Sequence, residues 1–325
     1  MLIYLDKRFT DEFFKLDTSN YQVWTFFDEI IKKSKSYSLY TSYSENEFKE
    51  LLMNNPLIRG ISNGVESIGF NLPLQLLKKT NSHDHKLLLL SDTIDALKLM
   101  DEGIESFASK SIRSKWPNYS PYRDDLDIPV TTNNAFDRDE RFSDWNDLLR
   151  FTHPITDIYV YDKYLLTDNS SGPIEKNLIP MLEVLNKMSK AKKHIRIFAL
   201  AKMFQSQSDQ PEKEKAEKLG LAIKKVVPEC RLSISLINYL SDIPHDRFII
   251  PHDRFILTNY FLIDRGAGFN LFTKKNEVFH EDSSILFRFL FLKRNHSMFK
   301  IKKDIVNNLK VLSEKNTGQI VNYHF

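Results

Sequence analysis

From Ile155 onward the chain alternates in a way that few folds accommodate. "ITDIYVYD" reads as a strand, after which Ile174, Leu178, Met181, Leu182, Leu185 and Met188 recur at helical spacing. "HIRIFAL" is a second strand, "EKEKAEKLGLAIKKV" a second helix and "RLSISLI" a third strand. Strands joined through helices return in the same sense, so this pattern predicts an α/β layer with parallel pairing.

The first hundred residues are also α/β in pattern. "LIYLD", "YSLYTS" and "KLLLLSD" are strand candidates, and Val23, Phe26, Phe27, Ile30 and Ile31 form one helical stripe. Ser44 with Glu47 three residues on is a capping-box signature, and "TIDALKLM" is a further helix. Residues 113–141 carry three prolines, many Asn and Asp and no period, which predicts a linker. The expected organisation is a smaller α/β domain over 1–112, that linker, and a larger α/β domain over 142–325.

A length of 325 residues suits two cores. Net charge is only +3, so attraction to polyanions has to be local. A lone cysteine, Cys230, excludes an intrachain disulfide and a cysteine-built zinc cage. The opening "MLIYLDKRFTDEFF" lacks the basic-then-apolar order of a secretion signal. The longest apolar run, "ILFRFLFL" from Ile285, falls far short of the roughly 20 residues of a spanning helix. The expectation is a cytoplasmic protein with no transmembrane segment.

Residues 243–256 repeat Ile-Pro-His-Asp-Arg-Phe-Ile in tandem. Residues two apart on a strand face the same way, so His252 and Arg254 project together, as do His245 and Arg247. Imidazole beside guanidinium suits phosphate: Arg offers a fork of donors, and His can donate or attack. A seven-residue offset flips the face, so the copies cannot serve one side of a continuous strand. The second copy runs into "FILTNYFLIDRGAGFN" and is taken as the site; the first is a loop extension.

His252-x-Arg254, then Asn259, then Gly266-Ala267-Gly268-Phe269-Asn270 resembles the phospholipase D superfamily signature His-x-Lys-x4-Asp-x6-Gly-Ser-x-Asn. Arg254 stands for the lysine, Asn259 for the aspartate, and the glycine segment is longer by one residue. "HDRFILTN" with "GAGFNLF", preceded by Asp162 in "IYVYDKYLL", is most similar to the phospholipase-D-like C-terminal domain of MIT-domain abscission proteins and its bacterial relatives. The resemblance covers about residues 142–310. It implies a phospholipase-D-like mixed sheet flanked by helices, preceded by the smaller α/β domain. In catalytic members the histidine attacks a phosphodiester, the lysine holds phosphate oxygens, and a second histidine from another copy protonates the leaving oxygen. By that likeness His252, Arg254, Asn259 and Asn270 are the catalytic positions, and Arg254, Gly266, Gly268 and Asp162 the phosphate-binding ones. One copy per chain implies a homodimer. The abscission branch binds acidic lipid without turnover, and Arg for Lys with Asn for Asp fits binding to nucleic acid or acidic phospholipid. The bacterial likeness extends to nucleic-acid transactions and phage defence. No cofactor is implied for this domain.

The other class is a metal-dependent nuclease. Asp6, Glu45 with Glu47, and Asp92 lie at expected strand ends, where carboxylates can converge on Mg2+ or Mn2+. Their order is weakly similar to PIN-type ribonuclease domains. Helix caps and surface charge account for the same residues without chemistry. "SHDH" (82–85) is a His-x-His pair in a polar turn, and residues 287–310 hold seven Lys and Arg against one Asp, either a phosphate-facing surface or a solvated helix.

Overall fold

The computed structural model describes residues 2–15, 37–62, 64–74, 86–109, 125–131, 141–151, 153–162, 165–166, 173–201, 210–238, 254–265, 271–272, 284–290, 292–314 and 320–325. A five-stranded, all-parallel sheet comes first. It runs β3 (Val65–Gly69), β2 (Tyr37–Thr41), β1 (Leu2–Leu5), β4 (Lys86–Leu90), β5 (Glu105–Ala108). β1 and β4 read as unbroken apolar runs because both of their faces are covered. Ile3, Leu5, Leu87 and Leu89 join Phe9 and Phe13 of α1 (Lys7–Phe13). Leu2, Tyr4, Leu88 and Leu90 meet Ala96 and Leu99 of α4 (Thr93–Asp101). Between β2 and β3 lie α2 (Glu45–Asn54), opened by the Ser44–Glu47 capping box that the sequence predicts, and α3 (Pro56–Ser62).

The second sheet is mixed and eight-stranded, in the order β13-β9-β8-β7-β10-β11-β12-β6. β7 (Asp157–Tyr161), β8 (His194–Ala201) and β9 (Arg231–Asn238) pair in parallel, as the strand–helix alternation predicts. β10 (Arg254–Thr258), β11 (Phe261–Arg265), β12 (Ser284–Phe289) and β6 (Leu126–Pro129) continue on the other side of β7, all antiparallel. β13 (Ile320–His324) closes the far edge against β9.

Helices cover both faces of this sheet. A π-helical turn, Pro173–Leu178, leads into α5 (Ile179–Lys187). Together with α6 (Gln210–Val226) it buries Leu182, Leu185, Leu219 and Ile223 against Ile158, Val160, Ile195, Ile197 and Ile234. On the opposite face α7 (His296–Glu314) sets Phe299, Val306 and Leu309 against Tyr161, Phe198, Phe255, Leu257 and Leu262.

The two sheets meet through a buried polar knot. Glu105 opens β5, and its Oε1 lies 3.2 Å from His153 Nδ1, both side chains about 1% exposed. His153 stacks on Tyr260 at 5.0 Å, and Tyr260 donates its hydroxyl proton to the Gly103 carbonyl at 3.3 Å.

Two expectations are corrected. Residues 126–129, assigned to the linker over 113–141, form β6, and Val130 bridges to Phe142; the larger unit therefore starts before 142. β3 and β5 add two strands that the sequence pattern did not suggest. The apolar stripe at Val23–Ile31 lies outside the described residues.

Candidate functional site

In the second sheet the chain leaves β7 toward β8 and β9, then crosses back to lay β10 on β7's other flank. Such a reversal of strand order opens a crevice beyond the carboxyl ends of the parallel strands, the usual ligand position in open α/β sheets. Asp162 follows β7 at that edge, and Arg254 starts β10 there. Arg254 Nε and Asp162 Oδ1 lie 3.4 Å apart. The Asp162 side chain is 6% exposed and that of Arg254 19%, so the carboxylate is sealed and the guanidinium keeps an outlet. The Asp162 backbone is fixed as well, its N–H donating to Phe198 O at 3.1 Å and its carbonyl accepting from Leu165 at 3.2 Å. On the opposite face, burial and then the Asp162 charge push the Tyr161 phenol well above its ordinary range.

Asn177 is a residue that the sequence did not single out. It sits in the π-helical turn, fully buried, and its Oδ1 accepts from Leu271 N–H (2.9 Å) and Phe272 N–H (3.0 Å). Its Nδ2 donates to Phe272 O at 3.1 Å. π-helical turns concentrate at functional sites, and this one pins the chain directly after the 266–270 stretch. A Pro followed four residues later by Asn, at the entry of an apolar-periodic helix, was the available signal.

Asn259 requires a correction. It lies at the opposite end of β10 from Arg254, and its Oδ1 accepts from Thr156 N–H (3.1 Å) and Asp157 N–H (3.3 Å) at the start of β7. The asparagine binds the turn to β7, and a five-residue strand separates this expected catalytic position from Arg254. His252, Gly266, Gly268 and Asn270 lie outside the described residues, as does the first heptad copy and the His-x-His pair at 83–85.

The amino-terminal carboxylates act as helix caps. Asp6 caps α1 by accepting from Arg8 N–H at 2.7 Å, and Asp92 caps α4 by accepting from Ile94 and Asp95 N–H. Glu47 completes the capping box and pairs with Lys7 at 2.6 Å; that lysine first, then Ser44, draws its carboxyl down to about 2. Among the described residues no group of three His, Cys, Asp or Glu is arranged to hold a metal ion.

The basic run over 287–310 divides into inward and outward members. Arg288 and Arg294 share Asp125 at 3.7 and 3.2 Å. Lys302 Nζ lies 4.7 Å above the Phe255 ring, and Lys310 donates to Tyr159 Oη at 2.9 Å. Lys293, Lys300 and Lys303 face outward. Most of the run thus holds α7 and the sheet edge in place. No helix among the described residues is long and apolar enough to cross a membrane.

No protein-family model matches the chain, and no curated protein matches it either.

Proposed function

We propose that this protein recognises phosphodiester groups at the carboxyl edge of its second sheet, binding nucleic acid through a phospholipase-D-like domain that has lost turnover. The observation that carries the reading is the Asp162–Arg254 pair at the strand-order reversal. A carboxylate that is itself sealed can hold a guanidinium in one orientation, and an oriented guanidinium presents a planar donor fork suited to phosphate oxygens. His252, two residues before Arg254, supplies a second donor in this reading. Acidic phospholipid shares the chemistry, but a bilayer is met by exposed clusters of basic residues. Arg254 is recessed, and a strand of nucleic acid can enter a recess that a flat membrane surface cannot.

The alternative is hydrolysis, either by His252 in a homodimer or by a metal ion at Asp6, Glu47 and Asp92. One experiment separates the three. The purified protein is incubated with labelled single- and double-stranded DNA and RNA, with and without EDTA, beside His252→Ala, Arg254→Ala and Asp6→Ala variants and vesicles of phosphatidylserine. The proposed reading expects salt-sensitive retention without product, intact in EDTA and lost in Arg254→Ala. Cleavage that survives EDTA and fails in His252→Ala would establish the phosphodiesterase. Cleavage that needs Mg2+ or Mn2+ and fails in Asp6→Ala would establish the metal nuclease.

A further inference from the structure

The face of the second sheet that α7 covers is not sealed along its whole length. Tyr161 pairs with Phe198, and both lie in the core beneath α7. Two residues nearer the amino ends of the parallel strands, Tyr159, Arg196, Ser233 and His324 stand side by side on β7, β8, β9 and β13. The next row outward is Asp157, His194 and Arg231. Alternation puts both rows on the α7 face, because Ile158, Ile195 and Leu232 between them pack on the other side. Exposure rises outward: Tyr159, Arg196 and Ser233 are half-buried, and His194 and Arg231 are exposed. The open rows thus form a step at the foot of α7.

The step is basic where a strand with neighbours on both sides ordinarily carries apolar residues. Burial first, then Asp157, raises the Tyr159 phenol to about 12, and the Arg196 charge opposes them, so that guanidinium lies near the ring. Asp157 is the one carboxylate of the two rows, and it is already engaged. Thr156 donates its hydroxyl proton to Oδ2 at 2.9 Å, and His194 Nδ1 lies 3.5 Å from Oδ1. Among the described residues neither the Arg196 nor the Arg231 guanidinium has a hydrogen bond or ion pair. With both imidazoles neutral, two arginines against one aspartate leave the rows a formal charge of +1. Lys310 is outside that count, being committed to Tyr159 Oη.

We infer that this step is a second contact surface for nucleic acid, on which Arg196 and Arg231 take separate phosphates of one strand; this rests on the ligand class proposed above. The two arginines lie on adjacent strands, two residues out of register, so their Cα atoms are about 8 Å apart. A nucleic-acid strand sets one charge about every 3.4 Å along its axis, so two phosphates a short way apart match that spacing. A strand can lie along a step beside a helix, whereas a bilayer meets what projects, and half-buried Arg196 does not project. The step is also separate from the Asp162–Arg254 crevice. Asp162 lies about 16 Å along the chain direction from Asp157, and alternation puts it with Ile158 and Val160 on the opposite face.

The test titrates the full chain with a fluorescein-labelled single-stranded oligothymidylate across a salt series. Arg196→Gln, Arg231→Gln, both together, Arg196→Lys and Arg254→Ala are compared with the parent. Losing one phosphate contact on a single strand lowers the salt slope by about 0.7, which is about fivefold in affinity at about 0.1 M salt. Each Gln change is expected to do this. The double variant should lose both amounts, about 25-fold, because the phosphates are separate. A double loss no larger than either single one would assign both arginines to one phosphate and overturn the arrangement. Arg196→Lys keeps the charge and should keep the parent's slope; a slope as low as that of Arg196→Gln would mark a packing role and overturn the contact. Arg231 is exposed, so Arg231→Gln decides the matter alone should Arg196→Gln fail to fold. If the Gln variants bind like the parent while Arg254→Ala does not, the step fails and the proposed function stands. If they lose affinity while Arg254→Ala does not, the step stands and the crevice reading fails; if no change matters, both fail. Phosphatidylserine vesicles or poly-glutamate held by the parent and released by the double variant, with no oligonucleotide bound, would overturn the choice of nucleic acid.

Discussion

Asp162 and Arg254 face each other at 3.4 Å one step beyond the Phe255–Tyr161 rung, where the second sheet passes from parallel to antiparallel pairing. Removing one member of a buried ion pair strands the other, which costs more than the pair contributes. Asp162→Asn keeps the shape and deletes the charge. It should lower unfolding stability by about 2–4 kcal/mol, read as a fall in urea midpoint at unchanged slope. Replacing both residues, Asp162→Leu with Arg254→Met, should recover part of that stability without restoring oligonucleotide binding. A double variant that still binds would separate the pair from phosphate recognition.

Asn177 supplies a second test, aimed at positioning. Substitution by Leu keeps the volume and leaves the Leu271 and Phe272 amides and the Phe272 carbonyl with no side-chain partner. Buried polar groups left unmet cost about 1–3 kcal/mol each. Asn177→Leu should therefore destabilise the protein by about 3 kcal/mol and speed amide exchange at Leu271 and Phe272 before any other described segment. Asn177→Asp, which retains the acceptor, should keep both amides protected while losing the donor to Phe272 O. Unchanged exchange in the Leu variant would show that the segment is held by something else.

How far the sequence foretold these features follows from where each signal resides. β7, β8 and β9 were readable because apolar residues recur at alternate positions along each strand, as in "HIRIFAL" and "RLSISLI", and the intervening helices write a 3.6-residue period. β3, "VESIG", is an edge strand with exposed Glu66 and Ser67, and β6, "LDIP", is a four-residue edge that ends in proline. Edges are blunted with charge and proline, which erases the apolar signature. Asp162 and Arg254 were singled out together by resemblance alone, but Asn259 was misplaced because strand length, rather than motif order, sets its distance from Arg254. The Glu105–His153–Tyr260 knot joins residues 48 and more positions apart in three segments, and no local pattern encodes such a meeting. Asn177 is of the same kind, since its partners lie 94 and 95 residues downstream.

The junction of the sheets gives a steric prediction. Gly103 has φ of +88°, a region costly for any residue with a Cβ, and a Cβ there would lie 2.2 Å from Thr156 Cγ2. Gly103→Ala should cost about 2–4 kcal/mol from backbone strain and clash together. Thr156→Ser removes that methyl and keeps the hydroxyl that donates to Asp157 Oδ2 at 2.9 Å. In the Gly103→Ala background it should recover the clash component and leave the strain. Full recovery would mean that φ contributes nothing; no recovery would mean that Thr156 already turns aside.

Lys193 sets the stability of the fold against alkaline pH. Its side chain is 1% exposed, and Nζ donates to Ala191 O (2.6 Å), Ser189 O (2.9 Å) and Ser189 Oγ (3.1 Å), all neutral acceptors. Burial lowers its pKa from the ordinary 10.5 to about 8. The folded state therefore sheds this proton first, and between about pH 8 and 10.5 the unfolded chain holds more protons than the native one. Stability rises with pH wherever that holds, so the contribution is complete above the unfolded value and is lost as pH falls through about 8. The span corresponds to on the order of 3 kcal/mol. Opposing it, burial raises the Cys230 thiol and the Tyr37, Tyr159, Tyr161 and Tyr260 phenols, Tyr159 to about 12. Those groups remove stability once pH passes their ordinary values of 9 for the thiol and 10 for the phenols. Urea unfolding of the parent and of Lys193→Met, compared at matched pH steps from neutral to pH 10, isolates the lysine because the thiol and phenols are common to both. The parent should gain on the variant steadily above pH 8, the gap between them shifting by most of that span before pH 10. A gap that stays constant across the series would mean that Lys193 titrates alike in the folded and unfolded chains.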